Sequence, residues 1–120
     1  MNKIKSYKDL LVWQKGLNLV SEIYVLTKSF PSEEKFGLTS QMRRSAVSVP
    51  SNIAEGWGRG TSAQYSNFLK IARGSLLELE TQLLISEKLN YTKIKENIFT
   101  MIDEESKMLN SLIRKVETSA

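Results

Sequence analysis

The chain has 120 residues, the length of one domain that can bury a core without covalent staples. It has no cysteine and no histidine, which excludes disulfides, thiolate metal sites, a histidine general base and the Glu-x-x-His di-metal centres of helical bundles. Seventeen basic residues against thirteen acidic ones give a net charge of +4, a mild tilt toward polyanions.

The opening MNKIKSYKDL is charged and has no apolar segment of the kind a secretory signal needs. No apolar run approaches the ~20 residues of a membrane span. A soluble cytoplasmic protein with no membrane contact is therefore expected. Ser6 followed by Asp9 reads as a capping box with Asp in place of the usual Glu or Gln. From there Leu10, Trp13, Leu17, Val20, Tyr24 and Thr27 recur at helical spacing, with Leu19, Ile23, Leu26 and Phe30 as a second stripe beside them. Two stripes make an apolar face wider than one neighbour needs. Pro31 stops this helix near Ser29.

Ser32 is expected to cap a short acidic turn, Glu33-Glu34-Lys35, ended by Gly37. A second helix carries Met42, Ala46, Val49, Ile53 and Gly56 on one face. Pro50 interrupts it, freeing the carbonyl of Ala46 and forcing a bend. A restart at Pro50 would leave Val49 as the cap, and valine caps poorly, so one kinked helix is expected. Gly56, Gly58 and Gly60 end it, and Thr61 with Gln64 opens the third helix as a capping box. There Tyr65, Leu69, Ala72, Leu76, Leu79 and Leu83 step by four and three. Asn90 reads as a left-handed C′ residue and Thr92 as the cap of the fourth helix. That helix carries Ile94, Ile98, Met101, Glu105, Met108 and Leu112, and Thr118–Ala120 should fray. No strand alternation occurs. The expected fold is all-α: a single-domain antiparallel up-down-up-down four-helix bundle, with helices at about 7–29, 38–57, 62–89 and 93–117 and a kink at Pro50.

Several strings carry a family resemblance. They are Gln41-Met42-Arg43-Arg44-Ser45, Val49-Pro50-Ser51-Asn52-Ile53-Ala54-Glu55-Gly56 and Ile71-Ala72-Arg73-Gly74-Ser75-Leu76, with Leu10-Leu11-Val12-Trp13-Gln14-Lys15 on the first helix. The chain resembles the four-helix-bundle proteins first noticed as reading frames in intervening sequences of bacterial 23S ribosomal RNA genes. The resemblance implies an up-down bundle assembling into rings, commonly pentamers, with no catalytic residues. A related branch serves reverse transcriptases of diversity-generating retroelements as a basic pentameric accessory protein that binds nucleic acid and the polymerase.

Two readings of the charged residues stay open. Arg43, Arg59, Lys70 and Arg73 build a phosphate-binding patch at the helix 2–helix 3 end, or they are solvated charges with one internal ion pair. Arg43 and Arg44 are adjacent and point about 100° apart, so they do not share one job. Asn52 and Glu55 stack on one face after the proline. With Arg44, Ser75 and Glu78 they are expected to form a polar network that satisfies the carbonyls freed by Pro50, where Gly74 lets helices 2 and 3 cross closely. Gly56-Trp57-Gly58-Arg59-Gly60 follows a helix rather than a strand, so it reads as a helix end and tight turn, with Trp57 tucked onto the bundle end or held in a subunit contact. Glu105 falls in the apolar seam of helix 4, to pair with Lys15 or another base or to face a neighbouring subunit. The expectation is a non-enzymatic homo-oligomer without cofactors that associates with RNA or DNA through a basic surface. The alternative is a protein–protein scaffold or accessory subunit.

Overall fold

The computed structural model of the chain describes residues 3–119; Met1, Asn2 and Ala120, the last of the residues expected to fray, lie outside it. Four helices fill the described chain, with no strand among these residues: α1 (Leu11–Thr27), α2 (Leu38–Gly58), α3 (Ser62–Lys88) and α4 (Glu96–Thr118). Each packs on the next, α4 closes back on α1, and the α2–α3 seam is the most extensive. The connections are short, so consecutive helices run antiparallel as an up-down-up-down bundle 45 Å long.

The chain enters α1 differently from the periodic pattern. Ser6 and Asp9 form the expected capping box, but it closes a 3₁₀ turn, Tyr7–Asp9. Leu10 is extended, and α1 starts after it without a side-chain cap. A second 3₁₀ turn, Ser32–Glu34, has Pro31 rather than Ser32 at its cap position. α2 passes through Pro50 as one uninterrupted helix. Thr61 accepts from the Gln64 N–H as expected, while the Gln64 side chain meets the Thr61 hydroxyl rather than its N–H.

Asn90 sits at φ 60° and ends α3. The Asn90 N–H reaches the Glu87 carbonyl and the Tyr91 N–H the Ser86 carbonyl, both at 3.0 Å, which makes a Schellman motif. Thr92 does not cap α4. Lys95 precedes that helix in an extended conformation, and the Glu87 carboxylate takes the Ile94 N–H in the connecting turn.

The core holds Leu19, Ile23, Met42, Val49, Ile53, Leu69, Leu79 and Leu83 from the predicted apolar positions, but of the two α1 stripes only the second is central: Leu17 and Tyr24 of the first are exposed and Leu10, Trp13 and Val20 half-buried. Burying one such side chain is worth about 1.5–3 kcal/mol. The close approach of α2 and α3 falls at Gly56, not at Gly74. A Cβ at Gly56 would stand 2.8 Å from the Phe68 Cβ and 3.2 Å from the Tyr65 carbonyl oxygen, whereas one at Gly74 would meet nothing.

Outside the core, α1 leaves Leu11, Leu17 and Val25 exposed and α3 leaves Ile71, Leu77 and Leu84 exposed. α1 and α3 are not adjacent in the bundle, so these two apolar faces lie on opposite corners of it.

Candidate nucleic-acid interface

Each of the four cations singled out in the sequence has a partner inside the chain. The Arg43 guanidinium lies 4.5 Å from the Tyr24 ring centroid, and its Nε donates to the Thr27 hydroxyl at 2.9 Å. Arg59 pairs with Glu55 at 3.0 Å and covers the Phe68 ring. Lys70 meets Glu117 at 2.7 Å, and Arg73 donates to the Asn110 side chain. The Glu117 carboxyl is held below its usual range by that Lys70 contact and by the Ser66 hydroxyl. Lys70 and Arg73 therefore face the α3–α4 seam. Arg43 sits sixteen residues before Arg59 on α2, roughly 24 Å away along the helix axis. The four do not converge on one patch.

The expected polar network is smaller than its sequence outline. Ser48 and Ser75 share a hydrogen bond of 2.8 Å between α2 and α3, and the Asn52 amide donates to both the carbonyl and the hydroxyl of Ser48. Glu55 leaves this network for Arg59. Arg44 and Glu78 line a groove of about 320 Å³ above Ser48 and Ser75 without pairing. The Asn52 bonds end at Ser48, so they do not reach the Ala46 carbonyl freed by Pro50.

What the fold does assemble is a cleft of about 470 Å³ between the end of α1, the Lys35-Phe36 link after the second 3₁₀ turn, and the first half of α2. Its cations are Lys35, Arg43 and Arg44, and no carboxylate lines it. Its aromatic walls are Tyr24 and Phe36. Phe36 is 90% exposed, with the Lys35 amine 5.5 Å from its ring centroid. Thr39 and Ser40 add hydroxyls at the second and third positions of α2, and their backbone N–H groups have no acceptor among the described residues. A helix start carries partial positive charge, which adds to that of the cations.

Glu34, in the 3₁₀ turn just before Lys35, is committed elsewhere. The Glu34 carboxylate accepts from the Leu38 N–H at 3.0 Å and from the Tyr91 hydroxyl at 2.7 Å, and these bonds hold it below the usual carboxylate range. Sequence reasoning caught only Arg43 as a binding candidate here. The missed signal was Phe36, an aromatic that joins neither apolar stripe and lies between a lysine and a glycine.

Glu105 is the other polar surprise. It is 1% exposed, and neither carboxyl oxygen has a hydrogen-bond partner. It faces the core, close to Gly16 of α1 and Pro50 of α2; a Cβ at Gly16 would stand 3.2 Å from Glu105 Oε2. Lys15 pairs with Glu104 instead. Burial pushes the Glu105 carboxyl up to about 8, with Lys15 pulling partly back. It is neutral in the folded chain at pH 7. Among the described residues no three carboxylates gather where a metal ion would sit. No helix there is long and apolar enough to cross a membrane.

Geometry thus defines a four-helix bundle with a cationic, aromatic cleft at one end and two apolar corners. Residues 8–111 match the family described as the 23S rRNA-intervening sequence protein, and the chain belongs to that family. A crystal structure of a protein of unknown function from the S23 ribosomal protein family of Bacteroides thetaiotaomicron is similar, with a TM-score of 0.78 and 26% identity over 87% of this chain and 96% of that one. No curated protein sequence matches the chain.

Proposed function

We propose that this chain is a non-enzymatic, oligomeric binding protein that associates with nucleic acid, RNA foremost, through a basic surface. The observation that carries the reading is the cleft of Lys35, Arg43 and Arg44, three cations with no carboxylate among them. Phosphate contacts of this kind supply most of the affinity of basic surfaces for nucleic acids, and salt weakens them. The family's description ties it to ribosomal RNA genes, which favours RNA over DNA.

Oligomerisation is the second part of the reading. The exposed apolar corners of α1 and α3 differ from each other and point apart. A head-to-tail contact between two different faces closes into a ring when the rotation fits, and five subunits is the expectation for this chain. The same corners favour the alternative reading, an accessory subunit or scaffold that holds a protein partner, such as a polymerase, without touching nucleic acid.

Light scattering after size exclusion, combined with a salt titration of RNA binding, tests both parts. A salt-stable oligomer whose RNA affinity drops steeply between about 50 and 200 mM salt is the expected result. An oligomer that ignores RNA at low salt shifts the function to the protein partner. A monomer at micromolar concentration removes the ring.

A further inference from the structure

We infer that the Tyr24–Phe36 cleft binds an unpaired nucleotide of a single-stranded nucleic acid, its base on the Phe36 ring and its phosphate among Lys35, Arg43 and Arg44. The inference deepens the nucleic-acid reading above and rests on it. Three observations lead to it. Phe36 is 90% exposed, and the side chain of Lys35, itself exposed, is the one cation over its ring among the described residues. Tyr24 is 40% exposed and has the Arg43 guanidinium 4.5 Å from its ring centroid, fixed there by the Thr27 hydroxyl, whereas the Lys35 amine over Phe36 has no such anchor, so Phe36 is the more open aromatic surface for a base. The polar side chains that line the cleft with it suit a phosphate: the Lys35 amine, the Arg44 guanidinium, which forms no ion pair among the described residues, and the hydroxyls of Thr39 and Ser40.

Arg43 is held in place by Thr27 and Tyr24, so its charge is fixed before any ligand arrives. An aromatic platform beside a cationic track is the arrangement by which single strands are bound without sequence preference. A duplex does not fit it as well, because its base faces are buried in the stack, and only its phosphates reach Lys35 and Arg44.

A second copy is a poorer occupant. Two copies meeting through this cleft would set three cations against three. A copy or partner docking an acidic surface there is distinguished by the experiment below.

The test is fluorescence anisotropy at low salt with a uridine octamer, a thymidine deoxy-octamer and a blunt RNA hairpin. The full chain is compared with Phe36→Ala, Phe36→Trp and Arg44→Glu, and each variant's mass is measured by light scattering. Stacking of one base predicts that Phe36→Ala weakens single-strand binding about tenfold, leaves hairpin binding unchanged and keeps the oligomer mass, while Phe36→Trp restores binding. The ratio of the two octamers then says whether RNA or DNA is the better ligand. Single-strand affinity unchanged in Phe36→Ala but lost in Arg44→Glu overturns the stacking and leaves the basic-surface reading standing. Loss of oligomer mass in Phe36→Ala also overturns it and makes Phe36 a subunit contact. Absence of binding to all three probes in the full chain overturns the nucleic-acid reading itself.

Discussion

The two ends of this bundle use the same kinds of residue to opposite effect. At one end Gly56 lets Phe68 and Tyr65 of α3 close onto α2. Trp57 packs edge-on against Tyr65 there, Arg59 covers Phe68, and Glu55 neutralises Arg59. At the other end Phe36 stands open, Lys35 and Arg44 have no acid partner among the described residues, and Glu34 is tied to Leu38 and Tyr91. An arginine beside an aromatic is thus not a binding signal in itself. What separates the two ends is whether a carboxylate and a neighbouring helix have already claimed the pair.

The largest expected effect acts on the core that both ends share, and so separates folding from binding. Glu105 is neutral in the folded chain, with its carboxyl raised from 4.5 to about 8, and ionises readily once unfolded. Between those two values the folded state holds the extra proton, so stability falls as pH rises through that window. Glu105→Gln abolishes this slope and raises unfolding stability at pH 8 by about 2–3 kcal/mol, with little change near pH 4.5. Urea melts at the two pH values check it.

Next in size is the closed end. Gly56→Ala drives a methyl into Phe68 and the Tyr65 backbone and should cost about 1–3 kcal/mol of stability in thermal melts, with single-strand affinity unchanged. Smallest is Gly74→Ala. Its Cβ meets open space, so the helical preference of alanine should raise stability by about 0.5–1 kcal/mol. If Gly74→Ala instead lowers the oligomer mass, that exposed stretch of α3 is where a neighbouring subunit comes close.

Most of the fold was legible in the sequence. The apolar spacing of α2, α3 and α4 is one-sided and long, so period alone fixes those helices, and the Pro50 argument for an unbroken α2 rested on valine's poor capping. The start of α1 was less legible, because a capping box marks a helical turn without saying whether that turn continues; here Leu10 goes extended and the 3₁₀ turn ends. The close crossing was placed at the wrong glycine. A mid-helix Gly74 and a helix-end Gly56 look alike in sequence, and only the approach of Phe68 tells them apart.

The candidate site was partly legible. Arg43 could be read because it sits in a recognisable string, but its partners Tyr24 and Thr27 are nineteen and sixteen residues away. Arg59, Lys70 and Arg73 read as free cations because Glu55, Glu117 and Asn110 reach them only in the folded bundle or by one helical turn. Charge is visible in sequence; its neutralisation across a seam is not.

The most direct test of the contrast between the two ends is one anisotropy titration of a labelled uridine octamer at low salt, run side by side on Lys35→Glu/Arg44→Glu and Arg59→Glu/Lys70→Glu. Loss of about tenfold or more in the first variant, with the second within about twofold of the unaltered chain, is the result the open cleft predicts. Equal losses in both variants, or a larger loss in the second, would contradict it and return the binding surface to the helix 2–helix 3 end.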